Sequence, residues 1–131
     1  MRSILLSCLV FAAVSLQAAD KLKVLIIDGQ NNHKWDITTP VLKDALESSG
    51  AFTVEVSTTP PKGSPAEAWH AWKPEFTGYQ AVVSNYNGEP WPQNVRDAFT
   101  KYVADGGGFV SVHAANNSFS VLAGYILGAG G

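Results

Sequence analysis

Cysteine is almost absent from this 131-residue sequence: the single one, Cys8, lies near the start, and residues 20–131 contain none. A disulfide framework and a cysteine nucleophile are therefore excluded for that long segment. Charge is also sparse, at 15% of residues, with a net charge of −2. Because no basic run or basic-aromatic interleaving occurs, nothing indicates a nucleic-acid partner or attraction to an anionic membrane surface.

The sequence also lacks an apolar run of the ~20 residues that a membrane-spanning helix needs. The apolar stretch at residues 4–16 is shorter, follows the basic residue Arg2, and is followed by Ala18 and Ala19. This order is typical of a secretory signal peptide. We therefore expect cleavage of residues 1–19, no stable membrane anchor afterwards, and a secreted or periplasmic protein.

The remaining segment, residues 20–131, is long enough for one small domain and carries eight basic and eleven acidic residues, a net charge of −3. Its last residues, GYILGAGG, are apolar and glycine-rich and include no charged closing helix or strand. We therefore expect a truncated fold, in which residues 20–131 form the N-terminal portion of a longer domain.

Four runs rich in β-branched residues predict strands, at residues 21–29, 52–59, 79–86 and 109–114. The first run is continuously apolar, which is typical of a parallel strand buried on both faces. The second alternates between apolar and polar residues, which favours a place nearer the sheet edge. Residues 60–78 are interrupted by four prolines and predict a packed loop with one helical turn around residues 66–72.

Two amphipathic stretches between the strands predict helices. Asp36 is the expected cap of the first, whose apolar residues Val41, Leu42, Ala45 and Leu46 have helical spacing before Gly50. The second begins near Pro92 and ends before a run of three glycines. Alternating strands and helices predict an α/β fold, with an open, mainly parallel sheet and helices on both faces.

Polar and aromatic side chains collect where three of these strands end. Because ligands of open parallel sheets bind beyond the carboxyl ends of the strands, this edge is the expected site. The candidates share amide, carboxylate or imidazole groups, apart from one tyrosine; they are Asp28, Asn31, Asn32, His33, Asn85, Tyr86, Asn87, Glu89, His113, Asn116 and Asn117.

Carboxamides donate and accept hydrogen bonds and aromatic faces pack on sugar rings, so this set suits a neutral, polyhydroxylated ligand. We expect Asn31, Asn32, Asn85, Tyr86, Asn87, Asn116 and Asn117 to bind it. Histidine serves as acid, base or metal ligand near neutral pH. His113 and His33 are the expected catalytic pair, and with Asp28 and Glu89 they form a candidate set of ligands for a divalent metal.

The same residues also have purely structural explanations. Asp28 could cap the loop after its strand, Glu89 could be a solvated acid, and His113 could be a core histidine whose nitrogens are satisfied. The asparagines could form turns or cap a helix near Ser118. Burial and hydrogen-bond partners decide between these explanations.

Three segments, KVLIIDGQNNHKW, VVSNYNGEPWP and YVADGGGFVSVHAANNSF, closely resemble the ThuA-like (trehalose utilisation) family. The similarity covers about residues 22–119, and family members are longer. It implies a flavodoxin-like fold similar to that of class I glutamine amidotransferases, and a carbohydrate ligand such as trehalose or a keto-disaccharide. The reaction is not implied, so whether the protein is an enzyme stays open; oligomeric state is likewise not indicated.

In the amidotransferases a strand ends in a sharp elbow that carries a cysteine nucleophile, and the resemblance places His113 at about that point. The competing hypothesis is a non-catalytic carbohydrate-binding or interaction module that uses Trp35, Tyr86 and Trp91. We expect strands one and four to lie near the middle of the sheet, so that His33 and His113 approach within about 4 to 8 Å.

The signal-peptide prediction can be tested on exported protein. Mass spectrometry should find an N-terminus near Ala19 or Asp20, because cleavage follows the small residues after the apolar stretch. An intact Met1 in soluble cytosolic protein would contradict the prediction.

Overall fold

The computed structural model describes residues 20–118, which form a parallel four-stranded sheet with helices packed on it. The predicted signal peptide, residues 1–19, and the closing residues 119–131 lie outside the described part. The elements in chain order are β1 (Leu22–Asp28), α1 (Trp35–Ser48), β2 (Phe52–Thr58), α2 (Ala66–Ala71), β3 (Ala81–Ser84), α3 (Gln93–Ala104), β4 (Gly108–Ser111) and a 3₁₀ helix (His113–Asn117).

The described strands lie in the order β2-β1-β3-β4, and every neighbouring pair is parallel. This is the flavodoxin-like order, so the α/β prediction is confirmed. The chain reverses its direction of winding between β1 and β3, and a crevice opens there at the carboxyl edge. β1 lies inside the described sheet, as expected, whereas β4 lies beyond β3 and is the outermost described strand on that side.

Side chains of β1 alternate between two apolar cores, one on each face of the sheet. Leu25 and Ile27 face α3 in a core rich in aromatic rings, while Val24 and Ile26 face Leu42 and other residues on the side of α1. The aromatic core contains Phe76, Tyr86, Trp91, Phe99 and Tyr102. Helices therefore cover both faces, as predicted from the alternation of strands and helices.

Several element boundaries differ from the predictions. α1 begins at Trp35, so Asp36 lies inside its first turn and is not the cap; no side chain caps this helix end. β1 is buried on both faces of the sheet only from Val24 onward; its first two residues are exposed, and Leu22 is 48% exposed. β4 ends at Ser111, so His113 opens a 3₁₀ helix instead of ending a strand.

The edge position predicted for the second strand is confirmed, since β2 pairs only with β1 among the described strands. The proline-rich segment packs on the body of the protein as predicted: Trp69 and Trp72 lie against the aromatic core, and the Trp72 indole N–H donates to Ser57 Oγ at 3.0 Å. None of the helices in residues 20–118 is long and apolar enough to cross a membrane.

Phe99 is fully buried and contacts Phe76, Trp91 and Phe109. We expect Phe99→Ala to lower the free energy of unfolding by about 3–5 kcal/mol, because it removes a large side chain and leaves a cavity. Urea denaturation measures this. Val41→Ala is the matched control: Val41 is 63% exposed, so a change within about 0.5 kcal/mol is expected. Equal effects of the two substitutions would contradict this account of the core.

Candidate functional site

The loops after β1, β2 and β3 meet at the carboxyl edge of the sheet. Gly29 directly follows β1 with a φ of +114°, and a Cβ there would lie 2.7 Å from the backbone of Thr59. Only glycine can occupy this position, where the loop after β1 passes close to the backbone of the loop after β2. The Asn31 carboxamide then donates to the Asn85 carbonyl oxygen at 3.1 Å, which carries the β1–α1 loop across the end of β3.

His33 and His113 come together at this edge although 80 positions separate them in sequence. Their ring centroids lie 4.6 Å apart with an interplanar angle of 73°, and both residues are exposed. The expected approach of the two imidazoles is therefore found. Its reason differs from the expected one, because the β1–α1 loop reaches over the end of β3 and brings His33 to the β4 side.

His113 has a backbone φ of +47°, and no other residue of the described chain except glycine has a positive φ. A left-handed conformation is uncommon for a side chain other than Asn, Asp or Gly, and such residues cluster at functional sites. The chain turns sharply here, two residues after β4 ends. His113 therefore occupies an elbow, the position expected from the amidotransferase resemblance.

The loop that carries His33 is held by carboxamides. Asn31 Oδ1 accepts from the backbone N–H of His33 at 3.0 Å while its Nδ2 contacts Asn85, as above. Asn87 Nδ2 donates to Asn32 Oδ1 at 3.0 Å, a second link between the two loops. These side chains link loops to one another. An asparagine in the sequence gives no sign of whether its carboxamide will bind another loop or a ligand.

Two of the expected ligand-binding residues are buried. Asn85 is 4% exposed, and its Nδ2 donates to the hydroxyls of Thr38 and Thr39 on α1. Tyr86 is fully buried in the aromatic core, where its hydroxyl donates to the Glu89 carbonyl oxygen at 2.5 Å. Burial, reinforced by the nearby Glu89 charge, raises the pKa of the Tyr86 phenol. The prediction that Asn85 and Tyr86 contact ligand is therefore wrong, because neither side chain reaches solvent.

The four-residue metal set is not assembled. Asp28 is 2% exposed and accepts from the Thr58 hydroxyl at 2.7 Å. Glu89 Oε2 accepts from the Gly63 N–H at 3.0 Å and from Gln30 Nε2 at 3.4 Å. Within residues 20–118, no group of three or more His, Cys, Asp or Glu side chains is placed to hold one ion. Asp28 joins the ends of β1 and β2, and Glu89 joins the loop after β3 to the loops after β1 and β2.

A cleft of about 570 Å³ opens at the carboxyl edge, among the loops that follow β1, β2 and β3. Neither His33 nor His113 lines it, although His33 directly follows the lining residue Asn32. Trp35 is the aromatic residue in its wall, and Lys62 is its cationic residue. Asn116 and Asn117 are exposed on the 3₁₀ helix after His113. The cleft is lined by Gly29, Gln30, Asn31, Asn32, Trp35, Pro61, Lys62, Asn87, Gly88 and Glu89.

Sequence reasoning gave no role to Gln30 or Lys62. Gln30 is 6% exposed; its Nε2 donates to the Pro60 carbonyl oxygen at 2.7 Å and its Oε1 accepts from the Glu89 N–H at 3.0 Å. It therefore joins the loops after all three strands. Lys62 lies in the loop after β2. Because all strands of a parallel sheet end at the same edge, the residues of this loop could also have been predicted as site candidates.

We expect Gln30→Ala to lower the free energy of unfolding by about 1–3 kcal/mol, because it removes a buried side chain that bonds the partly buried backbone groups of Pro60 and Glu89. Gln93→Ala is the control, since Gln93 is exposed and bonds only to exposed or half-exposed side chains of α3. Urea denaturation compares the two variants. A loss for Gln30→Ala no larger than for Gln93→Ala would show that the loops are held by other contacts.

Comparisons with known proteins agree with this fold. The model of the family described as "Trehalose utilisation" (ThuA) matches residues 23–129. The crystal structure of a protein described as ThuA-like, from Parabacteroides merdae, is similar at a TM-score of 0.75 and 40% sequence identity; the match covers 81% of this chain. This chain spans 37% of the length of that protein. No curated protein matches the sequence. The family match and the shared fold show that the chain belongs to the ThuA (trehalose utilisation) family.

Proposed function

We propose that this chain contributes the binding site of a protein that acts on a small carbohydrate or sugar derivative, such as trehalose or a keto-disaccharide. The observation that carries the proposal is an open polar cleft among the loops at the carboxyl edge of the sheet, with two exposed imidazoles 4.6 Å apart at the same edge. Ligands of flavodoxin-like folds bind at this point. Membership of the trehalose-utilisation family supports a carbohydrate over other polar ligands.

The cleft wall matches a hydroxyl-rich ligand. Asn32 and Asn87 keep donor and acceptor capacity beyond the one bond that joins them, because a carboxamide has two N–H groups and one oxygen with two lone pairs. Trp35 offers an apolar face for a sugar ring. The exposed Asn116 and Asn117 follow His113 directly and extend this polar surface toward the histidine pair.

His113 is the proposed acid or base, with His33 as its partner. An imidazole can donate or accept a proton near neutral pH, and the His33 ring lies directly against the His113 ring. Residues 20–131 contain no cysteine, so the elbow does not support thiolate chemistry. His33 directly follows Asn32, a residue of the cleft wall, so a sugar that extends from the cleft along this loop would reach the pair.

We also propose that the protein is exported to the periplasm or secreted. The family match begins at residue 23, so the signal-like residues 1–19 precede the matched domain and take no part in it. A soluble carbohydrate ligand is consistent with that compartment.

The catalytic proposal is tested with His113→Asn in the full-length protein, using trehalose and its keto derivative as substrates. Asparagine is chosen because it accepts the left-handed backbone that His113 adopts, whereas alanine would add strain. We expect turnover to fall by about 10²- to 10⁴-fold with an unchanged melting temperature. His70→Asn is the control, since His70 lies on α2 and is the one remaining histidine. A large loss of stability with retained turnover would overturn the assignment.

A non-catalytic binding module is favoured by one observation, the presence of Trp35 in the cleft wall. Trp91 is 2% exposed and Tyr86 is fully buried, so neither of these aromatics can stack on a ligand. In a module, calorimetric binding of the sugar would survive His33→Asn and His113→Asn together. It would be lost in Trp35→Ala and kept in Trp35→Phe, because phenylalanine preserves an aromatic face.

A further inference from the structure

We infer that His33 and His113 form a two-imidazole binding site for a divalent transition-metal cation, without Asp28 or Glu89. This inference goes beyond the proposed sugar site, because the cation alone is the ligand. It describes a metal-bound state in which the imidazoles serve as ligands, whereas the proton transfer proposed above belongs to the metal-free protein. It concerns only the histidine pair at the elbow, whose two rings belong to loops that follow different strands.

The separation of the rings fits shared coordination. A metal about 2.0–2.1 Å from an imidazole nitrogen lies about 3.2 Å from that ring's centroid, so ligand angles from about 90° to about 109° place two centroids about 4.5–5.2 Å apart. The observed distance of 4.6 Å lies within that range. The spacing of the two rings is therefore compatible with ligation of one ion.

The imidazole nitrogens are available for coordination. Within residues 20–118, neither side chain takes part in a hydrogen bond or ion pair; the bond at His33 involves its backbone N–H. A buried structural histidine normally donates to or accepts from a protein group, whereas these two residues are exposed, and each ring's one ring contact within residues 20–118 is with the other. This arrangement leaves both rings free to bind a cation.

Both rings are carried by backbone that is held in place. Asn31 accepts from the His33 N–H and binds the end of β3 through Asn85. At the other ring, the 3₁₀ helix that begins at His113 is held at its far end, where the Ser118 hydroxyl donates to the Tyr86 carbonyl oxygen. Because the backbone is already held in place, less conformational entropy is lost when an ion binds.

The donor set determines which cations should bind. Two neutral nitrogens with no carboxylate suit Zn²⁺, Ni²⁺ and Cu²⁺, while Mg²⁺ and Ca²⁺ require oxygen ligands. The coordination positions that the protein leaves open would be taken by water or by hydroxyls of a ligand. Discrimination between Zn²⁺ and Mg²⁺ therefore tests the inferred site chemistry.

The test is calorimetric titration of the full-length, untagged protein with Zn²⁺, and separately with Mg²⁺, in the absence of sugar. We expect one Zn²⁺ per chain, an affinity at least about tenfold lower in His33→Asn or in His113→Asn, and no change in His70→Asn. Circular dichroism checks that each variant is folded. Mg²⁺ should give no binding heat.

NMR on the unsubstituted protein provides a second readout that needs no variant to fold. With Zn²⁺, the imidazole signals of His33 and His113 should shift together while that of His70 stays in place. Zn²⁺ affinity unchanged in both site variants, Mg²⁺ binding equal to that of Zn²⁺, or a shift confined to His70 would overturn the inference. Because no sugar is present, failure here leaves the carbohydrate proposal standing, and failure of sugar binding leaves the metal site standing.

Discussion

The Asn31 carboxamide makes the contacts on which the site depends. By accepting from the His33 N–H and donating to the Asn85 carbonyl oxygen, it carries the β1–α1 loop across the end of β3. Without that crossing, His33 would remain above β1, with β3 between it and His113. The approach of the two imidazoles thus depends on hydrogen bonds between loops as well as on the order of the strands.

Buried polar groups stabilise the loops around this crossing. Gln30, Asp28 and Asn85 are each less than a tenth exposed, and each makes side-chain hydrogen bonds to a neighbouring loop or element. An unpaired buried polar group costs about 1–3 kcal/mol, so these networks favour one arrangement of the loops over others. Gly88 contributes by its size, because a Cβ there would lie 2.3 Å from Gln30 Oε1. The cleft therefore has walls that are positioned before any ligand binds.

The fold follows from sequence more directly than the site does. β-Branched runs separated by amphipathic stretches predict strands, helices and a parallel sheet, since these depend on local periodicity. Strand order depends on how the crossovers pack, which is why β3, and not β4, lies beside β1. Likewise, residue type places Tyr86 at a strand end but does not show that its ring turns into the aromatic core. The roles of asparagines are least predictable, because a carboxamide binds loop and ligand groups equally well.

His113 shows how backbone conformation adds information that residue type lacks. A histidine at a strand end is compatible with a core, a surface or a site, whereas one at a φ of +47° must be held there by its surroundings. β4 ends two residues before it, and the 3₁₀ helix that follows packs Ala114 and Ala115 into the interior. Burying those two small residues fixes the turn and directs the imidazole outward to His33. The exposed ring is therefore a consequence of the buried residues that follow it, which is why a substitution at His113 can remove the imidazole while keeping the elbow.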